Sequence, residues 1–246
     1  MPELKSPGLG WMREAQAQHC LLLFRILLMA AVFPTIAAVH AAESESAIFT
    51  ILSGGRRIGA ERFTITRGPA GLEAIGELQL ETAGNPKVSE RSSLQTSANL
   101  KPLLYERRQE APQKGTLTVK FEPSGTTLTS QTESGSQEQI FLLPDHDLVV
   151  LDTNFFHHYE FLIRLYDLAR PGPQSFAVFV PQEALPGTIS LAYQGKENLP
   201  GGEIPGELDH FQAMTEEVKI EIWATPGGEI QRLLIPQASL EIVRQK

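Results

Sequence analysis

The fold is decided by residues 148–170, LVVLDTNFFHHYEFLIRLYDLAR, the one long segment with helical periodicity among many short strand-like runs. The run Asp-Thr-Asn at 152–154 marks its start, because these side chains can accept hydrogen bonds from the free amides of a first helical turn. Pro171 marks its end, because proline donates no amide hydrogen and disfavours helical geometry in the preceding residue. These signals predict a helix over residues 153–169.

Apolar side chains cover more of this helix than the one-sided stripe of a helix that lies on a flat surface. We therefore expect the helix to be covered on several sides. The remaining polar stripe is narrow, and the pattern predicts it to face solvent, with pairing at Glu160–Arg164 and Arg164–Asp167. Its members are His157, Glu160, Arg164 and Asp167.

The segments on both sides of the helix read as consecutive short strands separated by Gly- and Pro-rich turns. Residues 72–81 alternate most clearly, and Gly76 within them suits a bend in a curved sheet. Residues 87–96 and 103–109 are more polar and are predicted to be edge or rim strands. The fold class is therefore mainly β (α+β): a strongly curved antiparallel meander sheet or half-barrel that grips one central α-helix.

Residues 1–42 have the pattern of a secretory signal peptide. Basic residues up to Arg25 precede the apolar run 26–39, and Ala41 provides a small residue for cleavage; translation can start at Met1 or Met12. A retained anchor is the weaker alternative, because this run is shorter than the roughly 20 residues of a membrane-spanning helix. We expect a periplasmic or secreted protein in which residues 43–246 form a single β-rich domain with no transmembrane anchor.

Cysteine content and charge narrow the chemistry of that mature domain. Cys20 is the only cysteine and lies in the predicted leader, so disulfides, thiolate catalysis and cysteine-bound metals are not expected. The first 42 residues hold three Lys/Arg and two Asp/Glu, which leaves 18 basic against 27 acidic residues and a formal charge of −9. This acidic balance disfavours nucleic acid as a partner.

Two motifs carry a resemblance to uncharacterised bacterial exported domains of unknown function. The first is Gly-x-Glu-x-Phe-x-Ile at 59–65, and the second is Leu-Asp-x-Asn-x-x-x-His-Tyr at 151–159. The layout also resembles, more distantly, the periplasmic lipoprotein carriers. That second resemblance implies a half-barrel sheet over helices with an apolar cavity for lipid.

Titratable residues are densest from Asp145 to His158, just before and within the start of the predicted helix. Adjacent histidines on a helix point about 100° apart, so we expect neither a metal site nor a catalytic site here. His158 is predicted to be buried and hydrogen-bonded to a strand carbonyl or to Asp152, while His157 is predicted to be exposed. The candidate ligand-binding or structural cluster is Asp152, Asn154, His157, His158 and Tyr159.

The mature sequence contains no nucleophile elbow, phosphate-binding loop or dinucleotide fingerprint. No cofactor is therefore expected. The favoured hypothesis is an exported envelope protein that binds a hydrophobic small molecule or lipid in a cleft between sheet and helix. One alternative is a non-enzymatic accessory or interaction module with a filled core and an envelope protein as partner. A further alternative is a metal-dependent or acid/base enzyme that uses the region from Asp145 to His158.

Overall fold

The structure is a computed structural model that describes residues 43–81, 84, 86–199 and 206–245. The predicted signal peptide and its cleavage site therefore lie outside the described residues. Within these residues, no helix is both long enough and apolar enough to span a membrane.

Fifteen strands and one short α-helix form the described domain. The strands are β1 (Glu43–Ser53), β2 (Arg56–Gly68), β3 (Gly71–Leu80), β4 (Val88–Ser97), β5 (Pro102–Ala111), β6 (Gly115–Glu122), β7 (Gly125–Thr132), β8 (Gly135–Phe141), β9 (Leu148–Val150), β10 (Gln174–Val180), β11 (Leu185–Glu197), β12 (Leu208–Met214), β13 (Lys219–Ala224), β14 (Ile230–Ile235) and β15 (Leu240–Arg244). Helix α1 (Tyr159–Leu165) follows a 3₁₀ turn at Phe156–His158.

All fifteen strands belong to one sheet, in the order β8-β7-β6-β5-β4-β3-β2-β1-β15-β14-β13-β12-β11-β10-β9. From β1 to β8 and from β10 to β15, strands that are consecutive in the chain pair antiparallel, as the meander prediction requires, and β1 pairs with β15. The sheet is strongly curved but not closed, since its two ends, β8 and β9, do not pair with each other. The predicted fold class is confirmed: a mainly β domain with a curved sheet and one short helix.

One pairing departs from the antiparallel prediction. β9 runs parallel to β10, with Val149 opposite Val178, and the chain between them contains the helix. Parallel neighbours need a long crossover connection, usually helical. The helix is therefore the crossover of a βαβ unit, which places it on the inner face of the sheet.

The helix is shorter than predicted, because tertiary contacts replace helical hydrogen bonds at both ends. Residues 152–154 do not cap α1: its N-cap is His158, which makes no side-chain capping bond. At the other end Tyr166 is extended, and its hydroxyl donates to the carbonyl of Gly172. The side chain of Gln174 donates to the carbonyl of Asp167 and accepts from its amide, where the prediction continued the helix.

The space between helix and sheet is largely filled by side chains. Phe155 and Leu162 are completely buried, and Phe156, Phe161 and Ile163 nearly so. Around Leu94 on β4, the packing leaves no room for a water molecule against Phe161 and Leu165. The prediction that the helix is covered on several sides is therefore confirmed.

The strands predicted at an edge lie inside the sheet. β4 pairs with β3 and β5, and β5 pairs with β6. The inner face of β4 carries Glu90, Ser92 and Thr96, all buried. The polar sequence of β4 therefore reflects a polar interior, which a rule based on alternating hydrophobicity assigns to a sheet edge.

Candidate functional site

Cross-strand register concentrates polar groups on the inner face, beside the start of the helix. One row across β2, β3 and β4 consists of Glu61, Leu78 and Glu90. The next row includes Gly76 and its partner Ser92. A side chain at Gly76 would overlap the rings of Phe155 and His157, since a Cβ atom there would lie 2.7 and 2.8 Å from them. Because position 76 has no side chain, Phe155 and His157 at the start of the helical segment can pack directly on β3.

Glu61 reaches from β2 to the first turn of the helical segment. Its carboxyl accepts a hydrogen bond from the amide of Phe156 at 2.8 Å and contacts Nδ1 of His157. Both side chains are completely inaccessible to solvent. The sequence predicted that side chains of residues 152–154 would accept hydrogen bonds from the free amides of the first helical turn. Glu61, almost one hundred positions away, accepts one of these bonds instead. The predicted exposure of His157 is also wrong.

Burial sets the protonation of this pair. Desolvation raises the pKa of Glu61 to about 8 against its hydrogen bonds from the amides of Phe156 and His157. Desolvation also lowers the pKa of His157 to about 3. Both shifts favour neutral groups at neutral pH, so a protonated Glu61 donates its single proton to Nδ1 of a neutral imidazole.

His158 is buried as predicted, but the predicted hydrogen bond is wrong. Neither of its ring nitrogens has a hydrogen-bond partner among the described residues, and the same holds for Nε2 of His157. The two imidazole centroids are 4.4 Å apart in an edge-to-face arrangement, and the Tyr105 ring packs edge-on at 5.8 Å. The imidazole of His158 therefore acts as an aromatic packing group, and that of His157 packs in the same way while its Nδ1 is hydrogen-bonded to Glu61.

A second polar network begins at Asp152. Its carboxylate accepts a hydrogen bond from the hydroxyl of Tyr105 and another from the amide of Asn154 at 2.8 Å. Asn154 in turn donates to Glu90 at 3.2 Å, and Glu90 forms an ion pair with Arg107. This chain of contacts connects the loop before the helix to β4 and β5, so the network fixes how the crossover enters the sheet.

A third network holds the middle of the helix against the first and last strands. Arg244 on β15 donates to Glu160 at 2.8 Å and to Glu45 at 2.6 Å. Arg164 also contacts both carboxylates, at 3.0 and 3.2 Å, which confirms the Glu160–Arg164 pair. The stripe predicted to face solvent is therefore mostly buried.

The last member of that stripe, Asp167, does stay partly exposed. It pairs with Arg170 at 2.9 Å, so the predicted pair with Arg164 is wrong. The helix ends before Asp167, which therefore lies outside the helical geometry on which the stripe was based.

All five residues of the predicted cluster lie at the helix start. Asp152, Asn154, His157 and His158 precede the helix, and the half-buried Tyr159 is its first residue. Asp145 and Asp147 are exposed, and His146 pairs with Asp147 at the surface. The titratable run from 145 to 158 therefore divides into a surface group and a buried group. In the described part of the chain, no three His, Asp or Glu side chains are grouped to hold a metal ion.

A cleft opens where the helix ends. This helix-end cleft has a volume of about 360 Å³ and lies between the end of α1 and the inner face of the sheet. Its lining includes five large apolar side chains, of which Leu168 is the most exposed; they are Leu100, Ile163, Tyr166, Leu168 and Phe211.

The curved, unclosed sheet with its enclosed helix defines a β-barrel-like domain. Its fold resembles that of the beta-barrel-like protein of domain of unknown function DUF1849 from Brucella abortus, with a TM-score of 0.56 and 9% identity over 85% of this chain and 97% of that chain. A DUF1089 family protein from Pseudomonas aeruginosa has a TM-score of 0.45 and 13% identity over 72% of this chain and 90% of that chain.

The chain matches no protein-family model and no curated protein. At 9% identity the likeness to the Brucella protein concerns the fold alone. It agrees with the predicted resemblance to uncharacterised bacterial domains, while the more distant resemblance to lipoprotein carriers stays a prediction.

Proposed function

We propose that the protein is an exported, non-enzymatic binding protein that holds the hydrophobic part of one small molecule in the helix-end cleft. The cleft itself is the observation that carries the proposal. It combines five large apolar side chains with a volume near the lower end of the roughly 300–1,000 Å³ typical of small-molecule sites. This size suits one short acyl chain or one aromatic ring system and is small for a lipid with two chains.

Two other regions fit a hydrophobic ligand less well. The interior beside the helix start is packed with aromatic side chains such as Phe155 and Phe156, which leave little space for a ligand. A larger concavity of about 670 Å³ at the ends of β5 to β7 is lined by charged, amide and hydroxyl side chains such as Arg108, Glu110 and Lys114. It has no large apolar side chain among its described lining residues.

The test uses Leu168, which lines the cleft and is 60% exposed, so that a substitution should leave the fold intact. Leu168→Asp places a carboxylate against the ligand and should weaken binding of the neutral probe N-phenyl-1-naphthylamine about tenfold in a fluorescence titration. Leu185→Asp is the matched control, because Leu185 is 52% exposed and lies outside the cleft lining. The proposal fails if the wild-type protein takes up no probe, or if both variants lose binding equally.

The export part of the proposal is tested separately. Expression of the whole chain in a bacterial host, followed by N-terminal sequencing of the periplasmic fraction, should find a mature chain that starts after Ala41. A full-length chain retained in the membrane fraction would support the anchor alternative instead.

The interaction-module hypothesis has one observation in its favour. Strand β8 is an edge of the sheet and is exposed along almost its whole length. Ile140 and Leu142 at its end are 69% and 89% exposed, and an open edge with apolar side chains can pair with another chain. A concentration-dependent oligomer in analytical ultracentrifugation that Ile140→Lys abolishes would favour this function.

A further inference from the structure

The charged groups that line the helix-end cleft are unequally satisfied. Arg67, Arg164 and Asp209 are its charged lining residues. Arg164 is paired with Glu45 and Glu160. The buried carboxylate of Asp209 accepts a hydrogen bond from the hydroxyl of Tyr193 at 3.0 Å. These two residues are therefore already engaged in contacts within the fold.

Arg67 is different, because its guanidinium forms no ion pair or side-chain hydrogen bond with the described residues. It lies near the end of β2 on the same face as Ile65 and Phe63, and its register partners are Glu43 on β1 and Leu72 on β3. Glu43 is exposed and does not form an ion pair with it. The cleft therefore presents one exposed cation with five free N–H donors beside a lining that is partly polar and partly apolar.

We infer that the ligand class of the helix-end cleft is a single-chain amphipathic anion, whose alkyl chain packs on Tyr166, Leu168 and Phe211 and whose anionic head group is bound by Arg67. This inference rests on the proposed function and names its ligand. The positive charge of Arg67 favours an anionic head group, because a carboxylate or phosphate can accept two parallel hydrogen bonds from one guanidinium group. The volume of about 360 Å³ selects a single chain.

The experiment compares two ligands that differ only in the head group. Isothermal titration of the mature domain with decanoate and with 1-decanol, at pH 7.5 and below the critical micelle concentration, measures both affinities. Decanoate should bind about tenfold more tightly than decanol, since a charge-assisted contact is stronger than a neutral one. Raising the salt concentration should weaken decanoate binding and leave decanol binding unchanged.

Arg67→Gln should remove most of the preference, with a roughly tenfold loss for decanoate and less than a twofold change for decanol. Arg62→Gln is the matched control, because Arg62 is an exposed arginine on the same strand that points to the other face of the sheet. The melting temperature of each variant confirms that it is folded. A third ligand, lysophosphatidylglycerol, distinguishes a lysophospholipid from a free fatty acid as the natural ligand. Tighter binding than that of decanoate indicates a lysophospholipid, and weaker binding indicates a free fatty acid.

The outcomes separate this inference from the proposed function. If decanol binds as tightly as decanoate and Arg67→Gln changes neither, the anionic head group is refuted while the hydrophobic cleft stands. If neither ligand binds and the neutral probe is also not taken up, the proposed function itself is refuted. If Arg62→Gln loses the preference for decanoate as Arg67→Gln does, the preference comes from the net charge of the protein and not from a contact with Arg67. This result would also overturn the inference.

Discussion

Glu61 is the residue that connects the sheet to the helical segment. A carboxyl group with no solvent exposure is costly unless it is neutral or hydrogen-bonded, and Glu61 is both. Its protonated form donates to His157 while it accepts from the amide of Phe156. A buried acid on a strand thereby performs the task that an N-cap residue performs in most helices.

This role makes a prediction for two substitutions at one position. Glu61→Gln keeps an amide donor toward Nδ1 of His157 and an oxygen acceptor toward the amide of Phe156, so it should cost less than about 1 kcal/mol. Glu61→Ala leaves buried polar groups without partners and should cost about 2–5 kcal/mol in the free energy of unfolding. Urea denaturation followed by circular dichroism measures both values.

The control is Glu73→Ala, an exposed position on the outer face of β3, which should change stability by less than about 0.5 kcal/mol. Equal losses for the Gln and Ala variants of Glu61 would mean that the carboxyl group is ionised, contrary to the assignment made from its burial.

The burial predicted from the sequence was correct for His158, although its predicted hydrogen bond was not, and the exposure predicted for His157 was wrong. The helical projection placed His157 on a solvent-facing stripe, which assumes that the helix has an exposed face. A helix enclosed by a sheet has none, so polar residues on every side are buried and need partners. A signal for one partner was present, since Glu61 shares the alternation phase of Phe63 and Ile65, but no local rule relates β2 to residue 157.

At the scale of elements, Gly76 shows how one strand position decides where the helix lies. The sequence indicates a bend there, whereas the structure shows that the missing side chain makes room for Phe155 and His157. Gly76→Ala should therefore overpack the interface and cost about 1–3 kcal/mol. Differential scanning calorimetry should show a lower melting temperature with unchanged β-sheet content.

Gly187→Ala is the matched control for this prediction. Gly187 also lies within a strand, β11, and an added Cβ would meet no atom within 4 Å. That variant should melt within about 2 °C of the wild type, on the scale of a surface substitution. A loss at Gly187 as large as that at Gly76 would show that the helix contact is not the cause of the loss at position 76.

The strands were largely predictable and the ends of the helix were not. Alternation and turn residues locate β3, β4 and β5 to within a few residues, because these signals are local. The helix ends depend on Gln174 and Glu61, whose side chains occupy the backbone groups that an isolated helix would leave free. The parallel pairing of β9 was likewise hidden, since three buried apolar residues fit a helix or a strand equally well.

At the scale of the whole molecule, one charged cluster holds the first strand, the last strand and the helix together. Arg244 on β15 contacts Glu45 on β1 and Glu160 on α1. Removing one partner of a buried ion network leaves the others uncompensated, so Arg244→Ala should cost about 3–5 kcal/mol. Guanidinium denaturation measures the effect on the free energy of unfolding.

The comparison for this prediction is Arg232→Ala on the neighbouring strand. Arg232 pairs with Glu241 in a more exposed setting, so its loss should cost no more than about 1 kcal/mol. If the two variants are equally stable, the cluster does not hold the sheet together at its β1–β15 contact.

The buried carboxyl groups and the buried histidines have opposite effects on how stability changes with pH. Burial raises the pKa of Glu160 to about 7 and that of Glu61 to about 8, from an ordinary value of 4.5. The folded state therefore keeps protons that the unfolded chain releases, and these groups lower stability as pH rises from about 4.5 to 8. Burial lowers the pKa of His157 and His158 from 6.5, so the unfolded chain gains protons that the folded state refuses, and stability decreases as pH drops below 6.5.

The two effects together place the maximum of the free energy of unfolding between about pH 4.5 and 6.5, since only the carboxyl groups act above that range. Urea denaturation at constant ionic strength from pH 4 to 9 should show stability decreasing from pH 6.5 to 8. The Glu61→Gln variant has no proton to lose at this position, so its decrease over the same interval should be smaller than that of the wild type. A stability maximum above pH 8, or an equal decrease in both proteins, would show that Glu61 is ionised in the folded state.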